Sequence, residues 1–424
     1  MAGDTIFALS SGRPPAAIAV IRISGPLAHF AGEQLAGELP PAREAAVRPL
    51  RDPTSAEQLD EALVLRFDGP ASATGEDVVE LHCHGGRAVV DAVLAGIASI
   101  DGVRAAGPGE FTRRAFDNGR IDLTEAEGLA DLLEAETEAQ RRAALRLAEG
   151  GLRRQIELWR ERVVALSSEA ELAIDYVEEG PEEGDAAIAA AARGFAEELD
   201  EWLARPQVER LKDGVRVVVA GPPNAGKSSL INAITGIERI IVSDVAGTTR
   251  DVIEVPLAIS GRPFVFIDTA GLRSGSDAIE AIGIGLAERE VEQADILLWL
   301  GGEGEAPEHP CRILVHAKAD LGGKPAGRVA VSALTGEGLS ELLERILAMS
   351  DDLLPAPDVI ALNRRQAEAL DEVRSALADA AVTDDPLLQA EGLRLARAAF
   401  DRLTGRAGVE DLLDALFARF CLGK

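Results

Sequence analysis

The sequence predicts a multidomain α+β protein, in which an α/β domain with a doubly wound parallel sheet is inserted into a discontinuous all-α domain, after a separate N-terminal α/β domain. Between about residues 215 and 349, short apolar runs alternate with helical periods, as in a parallel sheet whose strands are joined by helices. Helical periodicity dominates on both sides of that region. Because a doubly wound sheet covers both faces with its own helices, the two flanking helical segments are expected to pack on each other.

Length and charge set limits on what the protein does. The chain has 424 residues, which suits about three domains. Its formal net charge of −29 argues against non-specific wrapping of nucleic acid, because phosphate binding needs a basic surface. No apolar run approaches the ~18 residues of a transmembrane segment, and the first residues do not resemble a secretory signal. Three cysteines do not make a disulfide framework, so we expect a cytoplasmic protein.

The first part of the chain is predicted as the N-terminal α/β domain. Its strands are expected at 17–23, 62–67 and 77–82, with a helix at 89–97. The last strand runs into His82, Cys83 and His84, which are residue types that bind metals. Successive side chains of a strand point to opposite faces, so Cys83 is expected to point away from both histidines. A strand end held by the two following glycines is the favoured interpretation, with a metal site as the alternative.

Two helical segments flank the central domain. The first has helical periods near 123–147, 152–176 and 184–204, and Gly180-Pro181 breaks it. The second has helical periods near 362–377, 387–403 and 409–420. The predicted domain boundaries are therefore 1–117, 118–211, 212–351 and 352–424.

The central domain begins with the motif Gly221-x-x-x-x-Gly226-Lys227-Ser228. An apolar run precedes the motif and helical spacing follows it, which is the strand–loop–helix context of a phosphate-binding loop. Backbone N–H groups and the helix N-terminus then face phosphate oxygens. Lys227 is expected to reach the terminal phosphates, and the Ser228 hydroxyl to bind Mg²⁺. An ordinary strand-to-helix turn with chance glycines is the alternative.

Four further segments follow this loop in the order of a GTP-binding domain. Asp268 ends an apolar run, where a carboxylate and a following glycine N–H suit Mg²⁺ and the γ-phosphate. Asp320 follows another strand and suits the N1–H and amino group of guanine, which favours GTP over ATP. The residues expected to contact GTP or GDP are Asn224, Ala225, Gly226, Lys227, Ser228, Ser229, Ser243, Asp244, Val245, Ala246, Gly247, Thr248, Thr249, Asp268, Thr269, Ala270, Gly271, Lys318, Asp320, Ser332, Ala333 and Leu334.

One position bears on the mechanism of hydrolysis. Many GTPases place a Gln directly after Asp-x-x-Gly to orient the attacking water, and here that position is Leu272. The Asn224 side-chain oxygen suits a monovalent cation that offsets transition-state charge, although Asn is also common in loops for its backbone tolerance. Glu280 follows at a distance that suits water positioning, and a solvent-exposed glutamate at a helix start is the alternative.

Over essentially its whole length, the chain resembles the bacterial tRNA modification GTPases of the MnmE (TrmE) type. The resemblance is carried by residues 4–6, 20–26, 74–82, 108–112, 114–116, the phosphate-binding loop, 268–273, 282–284 and the ending Phe420-Cys421-Leu422-Gly423-Lys424. It implies a folate-binding N-terminal domain, a discontinuous helical domain and an inserted Ras-like P-loop GTPase domain. It also implies a homodimer and a complex with an FAD-dependent partner of the MnmG (GidA) type.

The reaction implied by this resemblance is the addition of an aminomethyl or carboxymethylaminomethyl group to carbon 5 of the wobble uridine of certain tRNAs. The one-carbon donor would be 5-formyltetrahydrofolate or a related tetrahydrofolate, and the GTPase would need Mg²⁺ and K⁺. A GTP-dependent switch for RNA or ribosome assembly, without substrate chemistry, is the alternative function.

The resemblance also implies site residues at matching positions. Glu280, Lys227 and Cys421 match catalytic residues, of which Glu280 positions water and Cys421 takes part in the modification. The implied folate ligands are Arg22, Glu80, Arg120 and Lys424. The implied Mg²⁺ ligands are Ser228 and Thr249, and the implied K⁺ ligands are Asn224, Ser243, Val245 and Thr248.

Two positions depart from the family pattern near these sites. Ala317 stands where an Asn usually ties the base-binding segment to the phosphate loop, so weaker nucleotide binding is expected. Arg120 stands where Lys is common, which keeps the charge but changes the hydrogen-bonding geometry.

Overall fold

The computed structural model describes residues 4–175, 182–240, 253–269, 285, 287–323, 325–383, 385–407, 410–420 and 423. The chain divides into two compact units. The first unit comprises 1–130, 148–156 and 401–424, and the second comprises 131–147 and 157–400. Among the described residues, no helix is both long and apolar enough to cross a membrane.

A six-stranded sheet forms the centre of the first unit, with strand order β3-β4-β5-β2-β1-β6. Its strands are β1 (Thr5–Leu9), β2 (Ile18–Ser24), β3 (Ala45–Arg51), β4 (Gln58–Phe67), β5 (Val78–His84) and β6 (Val103–Ala105). Only the β1–β6 pair is parallel within this described sheet. Helices α1 (Ala28–Ala36) and α2 (Arg87–Ala98) pack on it around buried Ile21, Ile23 and Leu81.

The opposite face of this sheet carries helix α3 (Glu110–Asp117), through a small cluster that includes Ile6 and Phe111. Arg22 and Glu80 are opposite each other in β2 and β5, so their side chains share one face of the sheet. The structure also shows that Cys83 points into the core with 2 % exposure, while His84 bonds to Asp60. His82, Cys83 and His84 therefore do not converge, and the strand interpretation is confirmed.

Helix α4 (Leu123–Glu134) and a C-terminal helix, α13 (Glu410–Ala418), share a core of Leu123, Ala126, Leu416 and Phe417. Residues from both ends of the chain thus meet in the first unit.

The second unit contains a seven-stranded sheet with strand order β13-β12-β11-β7-β10-β9-β8. The strands are β7 (Val215–Ala220), β8 (Arg239–Ile240), β9 (Ile253–Ile259), β10 (Arg262–Asp268), β11 (Ile296–Trp299), β12 (Arg312–Ala317) and β13 (Val329–Val331). The five strands from β13 to β10 are parallel, and β9 and β8 add antiparallel edges. Helices α9 (Lys227–Thr235) and α10 (Leu339–Ser350) pack on its core with the short α8 (Glu209–Asp213).

The remaining helices are α5 (Glu138–Ala148), α6 (Gly151–Asp175), α7 (Glu182–Leu203), α11 (Arg364–Val382) and α12 (Pro386–Leu403). Helix α7 packs on α11, although the whole seven-stranded sheet separates them in the chain. Trp159 of α6 lies 4.9 Å from Trp202 of α7 and 6.1 Å from Phe400 of α12, measured between ring centroids. Helices on both sides of the inserted sheet pack together, which confirms the predicted fold class.

Candidate functional site

The phosphate-binding loop connects strand β7 to helix α9, as the motif predicts. Gly226 precedes the first turn of α9 with φ 98°, and Gly221 has φ 147°. Residues other than glycine rarely adopt such φ angles. A Cβ at Gly221 would also lie only 3.1 Å from the Leu300 Cβ. The backbone can therefore curve tightly, which lets its N–H groups surround a phosphate.

Lys227 lies inside this loop and is only 4 % exposed. Its Nζ donates hydrogen bonds to the carbonyl oxygens of Gly221 and Pro222, at 3.1 and 3.0 Å. Burying an ammonium group is costly unless it is hydrogen-bonded, so these carbonyls hold the charge at the loop. A lysine that binds the terminal phosphates has to lie at this position, inside the loop.

Ser228 and Asp268 meet at the carboxyl ends of two adjacent parallel strands. Asp268 is opposite Val219 of β7, and its Oδ2 accepts a hydrogen bond from Ser228 Oγ at 2.5 Å. The neighbouring Thr269 donates to the Val219 carbonyl oxygen at 3.0 Å and fixes the strand end. A hydroxyl and a carboxylate are hard oxygen ligands of the kind that Mg²⁺ prefers, so the donor set fits this metal.

The predicted base-binding segment lies beside the phosphate loop. Asp320 Oδ1 accepts a hydrogen bond from Ser332 Oγ at 2.6 Å, which orients the carboxylate. Residues of this segment line a cleft of about 540 Å³, together with Ser229, Ala333 and Leu334. The structure therefore brings the predicted phosphate and base residues to one cleft.

Sequence reasoning missed one contact in this cleft. Lys318 Nζ donates a hydrogen bond to the carbonyl oxygen of Asn224 at 2.9 Å. This bond joins the base segment to the phosphate loop, which is the tie expected to be lost with Ala317. Lys318 has φ 61° and precedes a 3₁₀ turn at Ala319–Leu321, which directs its side chain back over the loop.

Several predicted site residues lie outside the described residues, and their predicted roles stay predictions. They are Ser243, Asp244, Val245, Ala246, Gly247, Thr248, Thr249, Ala270, Gly271, Glu280, Cys421 and Lys424.

In the first unit, Arg22 and Glu80 form an ion pair. Arg22 Nε donates to Glu80 Oε1 at 2.9 Å, and the guanidinium lies 5.6 Å from the centre of the Phe111 ring. Arg120 is exposed, and its Cγ would lie 3.2 Å from a Cβ built at Gly75. Phe111 itself is buried, whereas the Arg22 and Glu80 side chains are partly exposed, so the pair offers hydrogen-bond donors and acceptors to a polar heteroaromatic ligand.

A polar network that the sequence does not predict lies next to this pair. Ser24, two residues after Arg22, bonds to Thr74 at 2.7 Å and donates to Glu76 at 2.8 Å. Arg114 donates to the same Glu76 carboxylate at 3.1 Å. The network fixes the segment before β5 and so supports the position of Glu80.

Gly423 lies in the same part of the first unit. Gly423 is buried with φ 89°, and a Cβ there would lie 2.0 Å from the Leu9 carbonyl oxygen. Leu9 ends β1, in which the adjacent Ala8 is opposite Arg22. The backbone at Gly423 is thus seated one strand away from the Arg22–Glu80 pair.

Two known protein families match this chain, and together they span residues of both units. A family described as "MnmE helical domain" matches residues 123–421, and "GTP-binding protein TrmE N-terminus" matches residues 5–120. The chain belongs to the MnmE (TrmE) family. The tRNA modification GTPase MnmE of Erythrobacter litoralis is 55 % identical and covers 99 % of this chain and 100 % of its own length. The protein of the same name from Novosphingobium aromaticivorans is 52 % identical, again over 99 % and 100 %.

Parts of the chain also resemble solved structures. The G domain of the Thermotoga maritima FeoB iron transporter is 27 % identical and covers 32 % of this chain and 98 % of its own, with a TM-score of 0.25. Aquifex aeolicus Era bound to GDP·AlF₄⁻ is 25 % identical and covers 40 % and 68 %, with a TM-score of 0.26.

Proposed function

We propose that this protein is a potassium-activated GTPase that drives modification of the wobble uridine of certain tRNAs. GTP hydrolysis in tRNA modification is the activity of its family. The observation that carries the GTPase assignment is the meeting of Ser228 and Asp268 beside the buried Lys227. Lys227 and the loop backbone would hold the phosphates, and Ser228 and Asp268 would hold Mg²⁺, which offsets their negative charge when bound.

The proposal includes a monovalent cation at the phosphates. Asn224 has φ 60° and accepts the Lys318 bond through its backbone, so its side-chain amide is not needed for that tie. Amide and carbonyl oxygens suit K⁺, which would stabilise transition-state charge as an arginine finger does. Because Leu272 cannot orient water, we assign water positioning to Glu280.

GTP turnover is therefore expected to rise sharply when Na⁺ is replaced by K⁺, and to lose this dependence in Asn224→Ala. Alanine is strained at φ 60°, so Asn224→Gly is the matched variant that removes the amide without straining the backbone. Turnover in the two salts is measured by phosphate release. Equal wild-type rates in both salts would contradict the cation assignment, whatever the variants do.

The N-terminal α/β region is proposed to bind 5-formyltetrahydrofolate or a related tetrahydrofolate. Arg22, Glu80, Arg120 and Lys424 would be its ligands, supported by the Arg22–Glu80 pair beside Phe111 and by the seat of Gly423. When bound, the folate supplies the one-carbon unit. Cys421, two residues before this seat, is proposed to take part in the modification.

The remaining elements of the proposal concern partners and location. An FAD-dependent protein of the MnmG (GidA) type would complete the addition of the aminomethyl or carboxymethylaminomethyl group to carbon 5 of uridine. The chain is proposed to act as a homodimer in the cytoplasm. The formal net charge of −29 indicates that tRNA binding depends on local basic surface or on the partner.

Mass spectrometry of tRNA nucleosides tests the proposed function. A strain lacking the gene should lose the modified wobble uridine, and the wild-type gene should restore it. A Lys227→Ala gene should fail to restore it while the protein remains folded. Unchanged nucleosides in the deletion strain would overturn the proposal and favour the GTP-dependent assembly switch.

A further inference from the structure

The turn between β9 and β10 is fitted to the start of helix α5. The Ala139 backbone N–H donates a hydrogen bond to the Gly261 carbonyl oxygen at 3.0 Å. Gly261 has φ 76°, and a Cβ there would lie 3.3 Å from the Glu138 Cβ. The φ angle and the close approach both favour glycine, so the turn and the helix are shaped for direct contact.

Helix α5 is also held where the chain enters and leaves the central sheet. Gln140 Nε2 donates to the Leu211 carbonyl oxygen at 3.0 Å, four residues before β7 begins. Arg146 donates to Asp358 at 2.9 Å, eight residues after α10 ends. The helix therefore has three separate contacts: the hairpin turn, the segment before the sheet and the segment after it.

Strand β10 connects this contact to the candidate nucleotide site. It begins at Arg262, next to the turn, and ends at Asp268, which bonds to Ser228. It is hydrogen-bonded to β7 on one side and to β9 on the other, and its side chains Phe264 and Phe266 are fully buried. A strand that is paired on both sides and packed in a dense core moves as one rigid body. Strand β10 therefore links two points that lie about 20 Å apart, which is the length of the strand.

The near end of β10 contacts the end of helix α10 through Arg262. Arg262 donates to Ser350 Oγ at 2.9 Å and pairs with Asp351 at 2.6 Å. Next to α5 lies a cavity of about 450 Å³, lined by apolar residues that include Ala143 and Leu354 and by charged ones that include Glu138 and Arg262. The cavity gives α5 room to shift when its contact with the hairpin moves.

We propose that the β9–β10 hairpin is a lever that transmits the state of the nucleotide at Ser228 and Asp268 to helix α5. Ligands that place Asp268 differently shift β10 along with it, and the Gly261 carbonyl carries the shift to the Ala139 N–H. Through α5, the nucleotide state reaches the helical segment that precedes the GTP-binding sheet. This inference rests on the proposed GTP binding and adds the route by which it acts on the rest of the chain.

Hydrogen exchange on the full-length wild-type protein tests the lever directly. The peptide spanning α5 is followed by mass spectrometry with GDP and with a non-hydrolysable GTP analogue, each with Mg²⁺ and K⁺. An exchange rate that differs by about fivefold or more between the two states, the lower range of allosteric couplings, supports the lever. If peptides from the phosphate loop respond to nucleotide but α5 does not, the lever is overturned while GTP binding stands. If the loop does not respond either, GTP binding itself has failed.

Two variants locate the coupling at the turn. Gly261→Val strains the backbone and separates the turn from Glu138, so α5 should lose its response to nucleotide while the phosphate loop keeps it. Ser260→Asn is the matched control, because Ser260 also has positive φ, is exposed and tolerates Asn. An α5 response in Gly261→Val equal to that of the wild type would contradict the proposed contact.

A reversible variant separates coupling from general destabilisation. In Glu138→Cys/Gly261→Cys, the two Cβ atoms start near the 3.5–4.5 Å of a disulfide. Oxidation should restore the response of α5, and reduction should remove it in the same sample. A response that is independent of the disulfide would count against the lever, since mere instability does not follow the redox state.

Discussion

At the residue scale, Lys318 compensates for an absent asparagine. Ala317 removes the side chain that would normally tie the base segment to the phosphate loop. The Lys318–Asn224 hydrogen bond supplies a tie between the same two segments, from the neighbouring position. We therefore expect nucleotide binding in this chain to depend on Lys318 more than the motif alone suggests.

Lys318→Ala is expected to weaken GDP and GTP binding by about tenfold or more, as loss of a charged hydrogen bond implies. Ala317→Asn should strengthen binding, and should recover part of the loss when combined with Lys318→Ala. The measurement is the dissociation constant of a fluorescent GDP for the four proteins of this double-mutant cycle. Strictly additive effects would show that the two positions do not share one role.

At the element scale, α13 can pack on α3 because Gly109 has no side chain. Gly109 precedes α3 with φ 66°, and a Cβ there would lie 2.3 Å from the Phe417 carbonyl oxygen. The C-terminal helix can approach α3 this closely only because the position is glycine. The same contact holds the N-terminal α/β region and the C-terminal helix together in the first unit.

Gly109→Ala is expected to destabilise the first unit by about 2–4 kcal/mol, combining left-handed backbone strain with overpacking. Gly119→Ala is the matched control, because its φ is 68° and a Cβ there meets nothing within 4 Å. It should cost only the strain, about 1–2 kcal/mol. Urea unfolding of the full chain measures both, and equal costs would contradict a clash with Phe417.

At the scale of the whole molecule, the fold class follows from the sequence because its signals are local. Strand–helix alternation and the glycine loop lie within short stretches of chain, and so do the helical periods on either side. The edge strands were harder to predict: β3 contains Pro49, and β6 has only three residues, so neither shows a clear alternation.

In the candidate site, too, some features can be predicted from local sequence signals and others cannot. The residues of the phosphate loop, Asp268 and Asp320 are found from motifs with fixed spacing. The Lys318–Asn224 tie spans 94 positions, and the Ser24–Thr74 bond spans 50. No local pattern encodes such contacts, because they depend on how separate strands are placed side by side.

The formal net charge of −29 also acts on the molecule as a whole. Self-repulsion of like charges opposes the compact state, and salt reduces it, with a screening length of about 10 Å at 0.1 M. The melting temperature of the nucleotide-free protein should therefore rise when NaCl is increased from about 0.01 M to 0.1 M. Scanning calorimetry in Na⁺ avoids the proposed K⁺ effect, and a falling melting temperature would contradict the expectation.

The burial of Cys83 has a practical consequence for chemical labelling. Burial, with the nearby Asp60 charge, raises the pKa of its thiol from 9.0 to about 12. At pH 8 the thiol therefore stays almost entirely protonated, and the protonated form is not the nucleophile. Maleimide and spin-label probes should therefore leave Cys83 unmodified in the folded protein, and in a variant without Cys311 and Cys421, labelling of Cys83 would report that the N-terminal sheet has opened.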